Sequence, residues 1–103
     1  MVSRAKSATL YHVTQKEGPK RVAALSQEQL QRIQTLLLDE ETYLKEYVKS
    51  APFFPEWKLV FDSGEVWISP SAKKVKWVTE TESKILDIDP GFDQLMQEIE
   101  GVN

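Results

Sequence analysis

Three short runs restrict this chain more than any other feature: Trp57 to Phe61 (WKLVF), Glu65 to Ser69 (EVWIS) and Lys74 to Thr79 (KVKWVT). Each is rich in β-branched and aromatic residues, as strands are. They are separated only by Asp62-Ser63-Gly64 and by Pro70-Ser71-Ala72-Lys73. A parallel return needs a crossover of about a dozen residues or more, so connections this short make an antiparallel meander. With Ser63-Gly64 as the loop, Phe61 faces Val66 and Leu59 faces Ile68. Side chains alternate between the two sides of a strand, so Trp57, Leu59, Phe61, Val66, Ile68, Val75 and Trp77 then share one face. Lys58, Val60, Trp67, Lys74, Lys76 and Val78 fall on the other.

The flanks complete an α+β pattern. Residues 1–7 have no periodic apolar signal and read as a flexible terminus, which leaves residues 8–103 as one domain. ATLYHVT (8–14) reads as a strand, and a second short one follows the Gly18-Pro19 punctuation in KRVAAL. Ser26 with Gln29 fits a capping box, and Leu25 with Leu30 stands at the staple positions around it, so a helix starts there. Leu30, Ile33, Leu37, Leu44 and Val48 form one stripe at helical spacing. One long helix from Gln27 to about Lys49 satisfies that stripe. Leu38 lies off it, however, and Asp39 can cap a new start, so two shorter helices fit as well. Ala51-Pro52-Phe53-Phe54-Pro55 continues neither. Ile85, Leu86 and Ile88 suggest another strand. Asp89 and Pro90 then open a helix carrying Phe92, Leu95, Met96 and Ile99 on one side, closed by Gly101. The expected architecture is a mostly antiparallel sheet, with the meander flanked by N-terminal and C-terminal strands and the helices packed on it.

Chemistry is harder to find. There is no cysteine, which removes disulfides, thiolate metal sites and cysteine nucleophiles together. His12 is the only histidine, and it sits in an expected strand, where a structural role is its natural reading. No G-x-S-x-G elbow accompanies it, and the four glycines do not cluster into a phosphate loop. Asp87, Asp89, Asp93 and Glu98 match positions one, three, seven and twelve of a calcium loop, but Phe92 stands where the tight turn needs glycine. No catalytic residue, metal or cofactor is therefore expected, and the chain is read as a non-enzyme. The net charge of -3 is mild. It hides a polarity: Arg4, Lys6, Lys16, Lys20 and Arg21 make the start basic, while Glu80, Glu82, Asp87, Asp89, Asp93, Glu98 and Glu100 make the end acidic. No nucleic-acid partner is expected of such a chain, and without an apolar leader or spanning run the expectation is a cytoplasmic protein away from membranes.

The succession APFFPEWKLVF, VWISPSAKKVKWV and ILDIDPGFDQLMQEI, with LLLDEETY upstream, resembles a group of small uncharacterised bacterial α+β proteins, many of them secreted or lipid-anchored. In that group cysteines stand where this chain has Ala51 and Ala72. Their joint replacement suits two positions close in space and a reducing compartment. The resemblance implies the fold and no substrate, cofactor or catalytic residue.

The feature that invites function is Trp67 with Val60, Val78, Lys58, Lys74 and Lys76, an aromatic and lysine-rimmed strip on the side opposite the expected core. Tryptophan is enriched at binding hot spots, so this face is read as the contact with a protein partner or with a second copy in a homodimer. Two alternatives stand beside it. One is an acidic inhibitor or immunity-type protein using Glu80, Glu82, Asp87, Asp89 and Asp93. The other is a small-ligand protein with a helix–sheet pocket near Tyr43, Tyr47, Phe53 and Trp57.

Overall fold

The structure, a computed structural model, describes residues 5–14, 16–43, 53–62 and 64–102. Six strands form one antiparallel sheet in the order β2-β1-β3-β4-β5-β6. They are β1 Ala8–Thr14, β2 Gly18–Ala24, β3 Trp57–Phe61, β4 Gly64–Ser69, β5 Lys74–Val78 and β6 Ser83–Asp87. Among the described residues two α-helices, α1 Gln27–Leu38 and α2 Phe92–Glu100, complete the α+β fold. The hairpin β1–β2 joins the meander through β1, which pairs with β3, so Leu10 lies opposite Leu59 and Tyr11 opposite Lys58.

The meander forms with a register two residues from the expected one. Strand β4 begins at Gly64, which pairs with Phe61, so Leu59 meets Val66 and Trp57 meets Ile68. A two-residue slip preserves the pleat, whereas a slip of one would have turned every side chain over. The face expected to be core is therefore the core face. Leu10, Leu59, Val66, Ile68 and Val75 are fully buried there. Leu30, Ile33 and Leu37 of α1, with Leu95 and Ile99 of α2, close over them in one apolar cluster. Each such side chain contributes roughly 1.5–3 kcal/mol on removal from water, which makes this cluster the principal source of stability.

The capping box at the start of α1 is complete. Gln29 N–H donates to the Ser26 hydroxyl at 3.2 Å, and Ser26 N–H donates to the Gln29 side chain at 2.9 Å. The single helix to Lys49 does not form, because α1 ends at Leu38. Asp39 leaves helical geometry with ψ 122°, and its carboxylate accepts from Glu41 N–H at 3.0 Å, opening a 3-10 turn over Glu40–Thr42. Whether another helix follows lies outside the described residues, as do Leu44, Tyr47 and Val48. Asp89 does not cap α2 either. Its N–H is taken by Asp87 Oδ1 at 3.0 Å, a 3-10 turn over Asp89–Gly91 leads into the helix, and its carboxylate pairs with Lys73 at 3.2 Å. Lys73 itself closes the β4–β5 turn at φ 51°.

Residues 5–7, which carry no strand signal, are tied down all the same. Ala5 is buried, and the Asp62 carboxylate accepts from Lys6 N–H, Ser7 N–H and the Ser7 hydroxyl at 2.8–3.2 Å. The amides of Lys6, and the hydroxyl and amide of Ser7, hold that carboxyl below the usual range. A depressed carboxyl adds stability above its ordinary pKa and loses it as pH falls through the folded value. Acidification below about pH 4 is therefore expected to lower the protection factors of the Lys6 and Ser7 amides, their exchange measured against the intrinsic rate at each pH, before the β3–β4 pairing yields, and Asp62→Asn should abolish that acid-dependent loss of protection.

The two 3-10 turns meet at Gly91. A Cβ placed there would stand 2.4 Å from Thr42 Cγ2 and 3.0 Å from Thr42 Cα. Thr42 cannot step aside readily, since it is buried and its hydroxyl donates to Leu36 O at 2.6 Å. Gly91→Ala should destabilise the fold by about 1–3 kcal/mol in denaturant titration. Thr42→Ser, which keeps the hydroxyl and deletes the clashing methyl, should recover part of that loss in the double variant.

Candidate functional site

Both helices lie on the Leu59 side of the sheet, so among the described residues no helix covers the opposite face. Pleat parity places one cross-strand row along that open face through all six strands: Arg21, Tyr11, Lys58, Trp67, Lys76 and Ile85. Basic and apolar side chains alternate along it. With strands about 4.8 Å apart the row is roughly 24 Å long. The middle is the best ordered by its contacts. Lys58 Nζ sits 5.0 Å from the ring centre of Tyr11 and 5.0 Å from that of Trp67, and it pairs with Glu65 at 3.3 Å. An ammonium held between two π-faces and a carboxylate has its alkyl stem along apolar surface and its charge satisfied, so Lys58 fixes the orientation of both rings.

Of the six residues expected to form the site, Trp67, Lys58 and Lys76 belong to this row. Val60 and Val78 belong to the next, flanking Glu65, and all five are half-buried. A shallow concavity of about 570 Å³ joins Tyr11, Lys58, Val60, Glu65 and Val78 to the rim at Glu80. Lys74 departs from the expectation. It lies two residues along β5 from Lys76, opposite Ser69 and Asp87, but is only 6% exposed and is engaged within the chain, so it offers no charge to a partner. Tyr11, Arg21 and Ile85 are additions that the sequence reading missed. Strand character was legible for all three, but the pairing of β1 with β3 that brings Tyr11 beside Lys58 joins segments 47 residues apart and leaves no local signal.

The acidic surface does not gather. Glu80 and Glu82 stand at the β5–β6 turn, whereas Asp87 ends β6 and Asp89 follows it, some 17 Å away for a strand of five residues. Asp89 is paired with Lys73, and Asp87 is taken by a backbone amide. Among the described residues no three metal-ligating side chains converge, and no helix is long and apolar enough to cross a membrane. His12 packs its ring against Trp57 at 4.7 Å.

A second concavity opens on the helix side, at the β5–β6 edge. It is lined by Leu37, Leu38, Tyr43, Trp77, Lys84 and Leu86, with Thr79 and Glu82 at its rim. Tyr43 is thus among the residues lining this helix–sheet concavity. Trp57 is not: it sits beside His12, and Trp77 takes its place. Tyr47 lies outside the described residues, as does Ala51, one of the two positions where the resembling group has cysteine. The Tyr43 hydroxyl donates to Leu37 O, a free carbonyl at the end of α1. Burial pushes this phenol up to about 12, opposed in part by the nearby Trp77 indole. That buried indole N–H faces the Tyr43 hydroxyl oxygen outside ordinary hydrogen-bond geometry.

No family model matches the chain, and neither a curated protein nor a solved structure is similar to it.

The raised phenol has a measurable consequence. The neutral form is favoured by folding, so its contribution is complete below the ordinary tyrosine value of 10.0 and is lost as pH rises toward about 12. Wild type should exceed Tyr43→Phe in stability by about 1 kcal/mol at pH 7. In denaturant titrations repeated at increasing pH, the difference should shrink above pH 10.

Proposed function

We propose that this is a non-catalytic binding protein that associates with a second copy of itself through the open sheet face. The observation that carries the reading is the alternation in the Arg21, Tyr11, Lys58, Trp67, Lys76, Ile85 row. The row holds three cations and three apolar groups, and its two ends are of opposite kind. Turned about a two-fold axis through its midpoint, it therefore sets every cation against an apolar partner: Arg21 against Ile85, Lys76 against Tyr11, and Lys58 against Trp67. Face-to-face sheet packing about 10 Å apart is an ordinary arrangement, and a two-fold interface requires this kind of self-complementarity. Partly buried Tyr11 and Trp67 flank Lys58 at the centre with Arg21 at one end, and tryptophan, tyrosine and arginine are the residues enriched at interfaces.

Solution mass measured by light scattering over a range of concentrations tests it. Wild type should move from one chain toward two as concentration rises, with tryptophan emission shifting to the blue. Trp67→Ser and Lys76→Glu should each give a folded monomer, the second by placing an acidic group over the Tyr11 ring face. A wild type that stays monomeric at hundreds of micromolar, or a dimer indifferent to both substitutions, would overturn the reading.

A further inference from the structure

We propose that the outer edge of β2 is a docking site for an extended acidic peptide, a segment of a partner protein that carries two successive carboxylates and joins the sheet as a further strand. The inference stands apart from the open face, because it concerns the end of the sheet and not its surface. β2 is last in the strand order, so among the described residues no strand lies along one side of its backbone. Pro19, Lys20, Arg21 and Val22 are exposed in succession there.

The hydrogen-bonding groups on that edge follow from the register. Val13 N–H donates to Glu56 O at 2.8 Å, away from β2, so Val13 and Pro19 are a pair that exchanges no ladder hydrogen bond. A residue without an N–H is tolerated at such a position. Pairing then runs without interruption through His12–Lys20 to Tyr11–Arg21. Antiparallel pairs alternate, so Lys20 bonds inward while Arg21 turns both its N–H and its C=O outward. A strand added along β2 exchanges both bonds with Arg21 and finds the Pro19 carbonyl as a further acceptor. Main-chain bonds of this kind supply affinity, and side chains supply the choice of partner.

The side chains ask for an acidic one. Lys20 shares the helix side of the sheet with His12, and Arg21 shares the open side with Tyr11. Two successive residues of an added strand also point to opposite sides, so each meets one cation. Lys16 adds positive charge in the hairpin loop, and Glu17 is the one acidic residue from Lys16 to Ala24. Proline and basic side chains on an edge guard it against copies of itself, since a second β2 would set Lys20 and Arg21 against their own kind. The same charges admit an acidic strand, because opposite charges on facing strands attract.

The test uses the full chain labelled with ¹⁵N and three end-blocked hexapeptides at low salt. They are TVDETV, its amide counterpart TVNQTV, and TVDETV methylated on the backbone nitrogens of both acids, which keeps the charges and removes the donors that the Arg21 carbonyl needs. TVDETV should bind saturably at millimolar concentration or below, at least about tenfold tighter than either control. At saturation it should slow exchange of the Arg21 amide by at least about tenfold and leave the Lys20 amide, already in the ladder, as it was. Arg21→Glu, a change at an exposed position, should weaken the complex by at least about tenfold. The double variant with Lys20→Glu and Arg21→Glu should take TVKKTV in place of TVDETV. The proposal is overturned if TVDETV does not bind, which would leave the edge a guard and nothing more. It is overturned equally if TVNQTV binds as well, if the methylated peptide binds as well, or if Arg21→Glu leaves the affinity unchanged. Protection of the Arg21 amide that grows with protein concentration alone would also overturn it, by making the occupant a second copy.

Discussion

The constraint on which this structure depends is the pleat of the sheet, which divides the side chains of all six strands into two sets with no exchange between them. On one side Leu10, Leu59 and Val66 continue into Trp77 as one cross-strand row, with Trp57, Ile68, Val75 and Leu86 as the next. Those rows have to be buried, and α1 and α2 bury them. On the other side the same geometry leaves Tyr11, Lys58 and Trp67 in line. Core and candidate interface are thus two consequences of one alternation, and neither can be moved without the other.

The helical layer is the second determinant, and its shortness matters as much as its presence. The turn at Glu40–Thr42 brings Thr42 against Gly91 and Tyr43 under the end of α1, where its hydroxyl satisfies a helix carbonyl. The close approach to Gly91 locks the two 3-10 turns together.

Charge acts locally here. Lys58 is balanced by Glu65 and two rings, Lys73 by Asp89 and the Phe92 ring, and Asp62 by the backbone amides of Lys6 and Ser7. Of the basic start and acidic end visible along the chain, Lys20 and Arg21 lie on β2 and Asp87 on β6, the two opposite edge strands of the sheet. Residues close in sequence, such as Glu82 and Asp87, are carried to opposite ends of β6, and each meets its own partners.

By itself the sequence determined what depends on neighbours in the chain. The strands follow from alternation, the capping box at Ser26 from the four residues that make it, and the core face from parity, which survives a two-residue error in register. It also placed Trp67, Val60 and Val78 on the open side, because that requires only knowing which residues are odd and which even. Tertiary structure decided what depends on distant segments. Pairing of β1 with β3 put Tyr11 beside Lys58, burial at the β5 end withdrew Lys74, and the junction at Asp39 chose between two helical lengths that the apolar stripe satisfied about equally. These outcomes rest on contacts across tens of residues, whose energies appear only when the chain has closed on itself, so no local pattern could have announced them.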